Sequence, residues 1–147
     1  MEPLKKIKEY PENVTKNITM DMAKNVPMTS LDNSVMERVL DNIITFAVSN
    51  INNEGCVQIN TSVEDNTIHC QIKDDGLKIP EEFQNTIFEK FSQVEIKNEG
   101  YRVGRGLGFT YSRLAIEAHN GKIFLDNKMN VGNNFIIQIP IQSTTLN

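Results

Sequence analysis

Tryptophan is absent from the 147-residue chain, and cysteine and histidine occur only twice each. Cys56 and Cys70 are too few for a disulfide framework and lack metal-ligand spacing, so a reduced, cytoplasmic setting is expected. No apolar run approaches the roughly 18 residues that a membrane span needs, so direct membrane contact by this domain is not expected. The start Met1-Glu-Pro-Leu-Lys-Lys carries charge without the apolar stretch of a secretory signal. Positive charge is also short: 15 Lys and Arg stand against 19 Asp and Glu, for a net charge of -4. That balance argues against a dedicated nucleic-acid binder, which carries a basic face. Repeats and low-complexity tracts are missing. What is abundant is Asn (18) and Ile (17), with 39% hydrophobic residues, enough for one core in one domain over 1–147.

The periodicities give an element order. Leu4 to Tyr10 has the composition of a short helix ending before Pro11, and residues 17 to 22 alternate like an edge strand. A long helix follows, with Ser34 and Glu37 at capping-box spacing and an apolar stripe from Val35 to Ile51. The run Asn52-Asn-Glu-Gly55 ends it. Val57 to Val63 and Thr67 to Lys73 read as a hairpin turning at Glu64-Asp65-Asn66. Pro80 opens a short helical piece containing Phe83, Ile87 and Phe88. Residues 92 to 106, polar and Gly-bearing, have the length of a functional lid. A helix from about Gly108 to His119 should turn Phe109, Leu114, Ala115 and Ala118 inward. Two last strands, Lys122 to Asp126 and Asn134 to Ile141, flank a turn containing Gly132. The predicted fold is α+β: a two-layer sandwich, with a mixed sheet of about five strands and about three helices on one face.

Four segments stand out: Val39-Leu-Asp-Asn-Ile-Ile-Thr-Phe-Ala, Asp74-Asp-Gly-Leu-Lys-Ile-Pro, Ile87-Phe-Glu-Lys-Phe and Gly104-Arg-Gly-Leu-Gly-Phe. In this order they resemble the N, G1, F and G2 boxes of the ATP-binding catalytic domain of sensor histidine kinases, a Bergerat-type fold shared with gyrase, chaperone and mismatch-repair ATPases. The resemblance covers residues 17 to 142, with Ala118-His-Asn-Gly-Lys-Ile and Phe135-Ile-Ile-Gln-Ile-Pro similar to that family's ending. It implies ATP or ADP as ligand, with Asp74 accepting the exocyclic amine of adenine. Gly76, which has no Cβ, allows close backbone approach to the ring. Gly104, Gly106, Leu107 and Gly108 open a helix whose free N–H groups suit phosphate, and Arg105 is a candidate phosphate donor. Phe88 and Phe91 resemble residues that pack the base of the lid.

The sequence departs from the family on its first long helix. The family carries two Asn four residues apart, then a basic and often an aromatic residue. Here Asn42 is followed by Phe46, Ser49 and Asn50. At about 100° per residue, positions 42, 46 and 49 share one narrow stripe. Mg²⁺ takes oxygen ligands, and the resemblance implies that the second Asn is the direct one, so Phe46 leaves only Asn42 as a weak metal candidate. Phe46 has two placements open, one intruding into the pocket and one rotated into the core. Lys78 stands where the family has its second Gly, and its stem either blocks the base or brings charge that position 49 lacks. Asn120 in place of a Gly is mild, because Asn tolerates left-handed backbone.

The resemblance implies a module that transfers the ATP γ-phosphoryl to a His on a separate dimerisation domain, in the same or a partner chain, and onward to a receiver domain of a response regulator. The departures imply impaired catalysis, or a non-catalytic pseudokinase that binds or regulates. His69 and His119 lack the acidic neighbour of an acceptor His and read as structural. A hydrolytic ATPase of the gyrase type needs a general-base Glu at the position of Asn42, and Asn cannot take a proton from water. An anti-sigma-factor serine kinase shares the fold. The domain is expected to be cytoplasmic, alone or as the cytoplasmic part of a membrane sensor.

Overall fold

A computed structural model describes residues 15–89, 108–128 and 130–142. The helix expected over 4–10 and the lid-like segment 92–106 lie outside those described residues. Strand β1 (Asn17–Asp21), helix α1 (Asn33–Asn50) and strand β2 (Cys56–Glu64) form a crossover unit. β1 runs parallel to β2, with Ile18 opposite Val57 and Met20 opposite Ile59. Parallel neighbours cannot share a tight turn, so the chain returns through α1, which lies over one face of the sheet.

From β2 the chain reverses through Asp65 and Asn66, both at positive φ (50° and 57°), into strand β3 (Thr67–Asp74). Two successive left-handed residues match the twist of a hairpin, and Asp and Asn tolerate that backbone. β2 runs one residue further at each end than the predicted Val57–Val63, and β3 runs one residue beyond the predicted Thr67–Lys73. The extension matters, because it makes Asp74 a strand residue paired with Val57 and Asn133. A single turn, α2 (Glu81–Gln84), precedes helix α3 (Gly108–Ala118), strand β4 (Lys122–Leu125) and strand β5 (Asn133–Pro140). The sheet order is β1-β2-β3-β5-β4, mixed and five-stranded, as expected.

Alternation along the strands turns Val57, Ile59, Ile72, Phe135, Ile137 and Ile139 toward the helices. They meet Val39, Ile43, Ile44, Ala47 and Val48 of α1 and Phe109, Ala115 and Ile116 of α3. Each large apolar side chain buried there contributes about 1.5–3 kcal/mol. The opposite face of the sheet carries the exposed polar side chains Gln58, Ser62 and Lys122 together with Phe124 and Ile136.

Two helix expectations need correction. The N-cap of α1 is Asp32, whose Oδ1 accepts the Val35 N–H at 3.1 Å, while Ser34 and Glu37 lie exposed inside the helix. The Asp32 N–H in turn donates to His119 Nε2 at 3.2 Å, which anchors this start to the end of α3. On α3 the inward residues are Phe109, Ser112, Ala115 and Ile116. Leu114 is 56% exposed and Ala118 is exposed. Leu114 lies about 140° around the helix from Phe109, too far to share its face. After α3 the chain turns at Asn120, whose φ of 60° is the left-handed conformation expected for it.

Gly132, just before β5, has a φ of +81°, and a Cβ there would collide with the carbonyl oxygen of Asp74. The β4–β5 turn thus lies directly against the end of β3. Gly132→Ala should lower stability by at least about 2 kcal/mol through left-handed strain and this clash. Urea unfolding checks it, and a midpoint equal to the parent's would contradict the geometry.

Candidate functional site

Asp74 closes β3 and is 5% exposed. Its Oδ1 accepts the Gly76 N–H at 2.9 Å and Asn133 Nδ2 at 3.3 Å. Its Oδ2 is enclosed, and no donor among the described residues reaches it. Burial raises the carboxyl to about 6, against the lowering effect of the Gly76 and Asn133 hydrogen bonds, with nearby Asp75 adding a small upward push. A buried acceptor oxygen without a donor suits an exocyclic amine brought by a ligand.

Asp75 behaves differently. It is exposed, its Oδ1 accepts the Cys56 N–H at 3.0 Å, and its own N–H donates to the Cys56 carbonyl at 3.3 Å. It fastens the start of β2, so the two neighbouring carboxylates have separate work. At Gly76 a Cβ would stand 2.5 Å from the carbonyl oxygen of Asn50. The small residue is needed because the turn rests on the last turn of α1, a reason the sequence does not reveal. Asn50 itself donates from Nδ2 to the Phe46 carbonyl at 2.8 Å. Lys78 is half-buried on the same loop.

Sequence reasoning misses two residues here. Asn133 is 1% exposed and bonds Asp74, the Leu77 carbonyl (2.9 Å) and the Ile79 N–H (2.8 Å). Asn127, 9% exposed, donates to Asn133 Oδ1 at 3.0 Å. The only signal available was the Asn-rich turn around Gly132.

On α1 the choice for Phe46 falls to the core. Phe46 is 5% exposed, with its ring edge-on to Phe109 at 4.9 Å and to Phe135 at 6.0 Å. Phe109 and Phe135 stack at 5.8 Å, and Phe88 closes the group edge-on at 5.7 Å from Phe109. Asn42, half-buried, donates from Nδ2 to the Gly108 carbonyl at 3.2 Å, which also accepts from Ser112 Oγ at 2.7 Å. This ties α1 to the start of α3. Ser49 is half-buried.

Among the described residues, these groups suit an adenine and do not make up a protein-held Mg²⁺ site. The base end offers the enclosed Oδ2 of Asp74. The stripe of α1 offers an oxygen only at Asn42 and the small Ser49, with a phenyl ring between them. Among the described residues no group of three or more His, Cys, Asp or Glu is placed to hold a metal. Gly104, Arg105, Gly106, Leu107 and Phe91 lie outside the described residues, while Gly108 opens α3.

The histidines and cysteines are accounted for by structure. His119 Nδ1 lies 2.7 Å from the Ala115 carbonyl and Nε2 accepts from Asp32, which assigns the neutral Nδ1–H tautomer. His69 borders a cavity of about 200 Å³ on the open face of the sheet, with Asn60, Ser62 and Glu64, and none of the candidate residues reaches it. Burial pushes the Cys70 thiol up to about 11, which keeps it protonated at neutral pH.

The histidine kinase-, DNA gyrase B- and HSP90-like ATPases match this chain over residues 31–143, and the chain belongs to that family. Within it, the chain is an ATP-binding catalytic domain of the sensor histidine kinase type. It is 30% identical over 145 residues to the sensor protein kinase WalK of Staphylococcus aureus, covering 95% of this chain and 24% of that one. Histidine kinase P4 of Formosa agariphila is 29% identical over 136 residues, covering 90% of this chain and 10% of that one. The chain thus spans a quarter or less of these two relatives. The catalytic domain of histidine kinase ThkA superposes with a TM-score of 0.78 at 24% identity, over 95% of this chain and 91% of that one. ThkA in complex with the response regulator TrrA gives 0.73 at 22% identity, over 96% and 40%. Among the described residues no helix is long and apolar enough to cross a membrane.

Two outcomes are expected. Phe46→Asn should cost about 3–5 kcal/mol, because it empties an aromatic site and buries an amide. Thermal melting tests it, and an unchanged melting temperature would return Phe46 to the pocket. For Asp74 the sign follows from its raised pKa. The folded chain holds its proton up to about 6, against an ordinary 3.8, so stability falls as pH rises through that window and the loss is complete above it. At about 1.4 kcal/mol per unit, the ionised carboxylate costs the fold on the order of 3 kcal/mol. Asp74→Asn removes that cost, so it should be more stable than the parent at pH 7 and lose the advantage at pH 4. Denaturant unfolding at both values decides it, and an equal difference at the two would contradict the burial.

Proposed function

We propose that this domain binds an adenine nucleotide by its base and is impaired in Mg²⁺-dependent phosphoryl transfer. The observation that carries the reading is Phe46, packed between Phe109 and Phe135 at the position where the resemblance implies a metal ligand. Phosphoryl transfer to a His depends on positioning and charge neutralisation, with Mg²⁺ bridging the phosphates. α1 supplies neither the second oxygen ligand nor a cation at Ser49. In contrast, the base end keeps Asp74 with one oxygen unpaired, against the Gly76 turn. ATP or ADP is the ligand, held at Asp74, Gly76 and Asn42, with Lys78 beside the base and Gly104, Arg105, Gly106, Leu107 and Gly108 at the phosphates.

The partners follow from the family. A His-bearing dimerisation domain, in the same or another chain, and a response regulator of the kind that ThkA binds in TrrA would meet this domain on the cytoplasmic side. With transfer impaired, the domain acts as a regulatory or binding module in such a sensor.

Calorimetry with ATP, with and without Mg²⁺, tests the reading. Binding should be weak and change less than about twofold on adding Mg²⁺, since the protein lacks the ion's ligand. Tight binding strengthened tenfold or more by Mg²⁺ would overturn the impaired site, and no binding of any adenine nucleotide would overturn the base site.

A further inference from the structure

We infer that Asn133, braced by Asn127, is a positioning residue that fills one oxygen of Asp74 and leaves the other as the acceptor that selects a 6-amino purine. The inference rests on the adenine reading above and goes beyond it, because neither Asn touches the ligand in this arrangement. An amide side chain has two N–H donors and two lone pairs on its oxygen. Asn133 uses all four: Nδ2 donates to Asp74 Oδ1 and the Leu77 carbonyl, and Oδ1 accepts from Ile79 N–H and Asn127 Nδ2. Nothing is left over for a base. It acts only through Asp74 and the loop.

Asn127 holds the other end. Its Oδ1 accepts the Asn134 N–H at 3.0 Å, and its Nδ2 reaches Asn133. The pair ties the β4–β5 turn, the 77–79 loop and the end of β3 around one carboxylate. At Asp74, Gly76 and Asn133 together occupy Oδ1, so the carboxylate cannot rotate about its last bond without breaking two hydrogen bonds. The same bonds favour the ionised form against burial. The result is a fixed plane with Oδ2 as its one unpaired, enclosed oxygen.

A fixed, buried acceptor gives discrimination of two kinds. A purine without the 6-amino group leaves Oδ2 unpaired, and a 6-oxo purine turns a carbonyl toward it. With Asn133 gone, only the Gly76 N–H holds Oδ1, so the carboxylate is less firmly fixed and the selection weakens while the rest of the base contact stays. A residue that merely supports the fold would weaken all purines alike.

The test compares adenosine with purine riboside, which lacks the amine, by calorimetry on parent, Asn133→Ala and Asn127→Ala proteins. The parent should prefer adenosine by about tenfold or more, the value of a hydrogen bond to a charged acceptor. In Asn133→Ala the preference should fall to about threefold or less, with purine riboside affinity held within about twofold. Asn127→Ala should fall between the two. A preference unchanged in Asn133→Ala, or both nucleosides weakened equally, would overturn the positioning role. If Asn133→Ala does not fold, Asn127→Ala decides alone, since it removes the brace without touching Asp74, and an unchanged preference there overturns the inference. A parent protein with no preference would overturn the adenine reading itself, which separates that failure from failure of the relay.

Discussion

The edge-on packing of Phe46 against Phe109 and Phe135 joins α1, α3 and β5 at one point. Aromatic pairs of this geometry add about 0.5–1.5 kcal/mol each beyond the area they bury. With Phe88 closing the group, the segment before the lid-like stretch and the helix after it are fixed to the same cluster. The residue at the implied metal position has therefore become part of the core. Its chemistry and its packing cannot be changed separately, and restoring an amide there acts on the whole helical layer.

At the other end of the site the balance is reversed. Asp74 sits in the fold at a cost, with its carboxyl raised to about 6 by burial. A structural position of this kind is ordinarily filled by a neutral side chain, as Asn133 shows beside it. A buried ionisable group with one oxygen left unpaired is the feature on which the proposed base site rests. The hydrogen bonds from Gly76 and Asn133 offset part of the cost and fix the orientation. In the proposed reading a base end at Asp74 stands beside the aromatic cluster around Phe46.

Much of this was legible in the residues. Strand alternation, the Asp65-Asn66 turn, the α1 stripe and the positive φ expected at Asn120 are local properties that nearest neighbours enforce. The four boxes at their spacing were enough to give the family. Less legible were the helix ends and faces. Asp32 rather than Ser34 caps α1, because His119, 87 positions away, takes the Asp32 N–H. Leu114 points out although it is apolar, because the face of α3 is set by where Phe109 meets Phe46.

The sequence alone determined the fold class and the family, and put a Phe at position 46 where the resemblance implies a metal ligand, since each depends on residue type and order. The tertiary structure decided where the Phe46 ring went, because pocket and core were both open to it until Phe109 and Phe135 came within contact. It also decided why Gly76 must be small, since the Asn50 carbonyl that forbids a Cβ is 26 positions away. The Asn127–Asn133–Asp74 chain was invisible for the same reason. An Asn in a polar turn carries no mark of its partner, and only the pairing of β3 with β5 places Asn133 opposite Asp74.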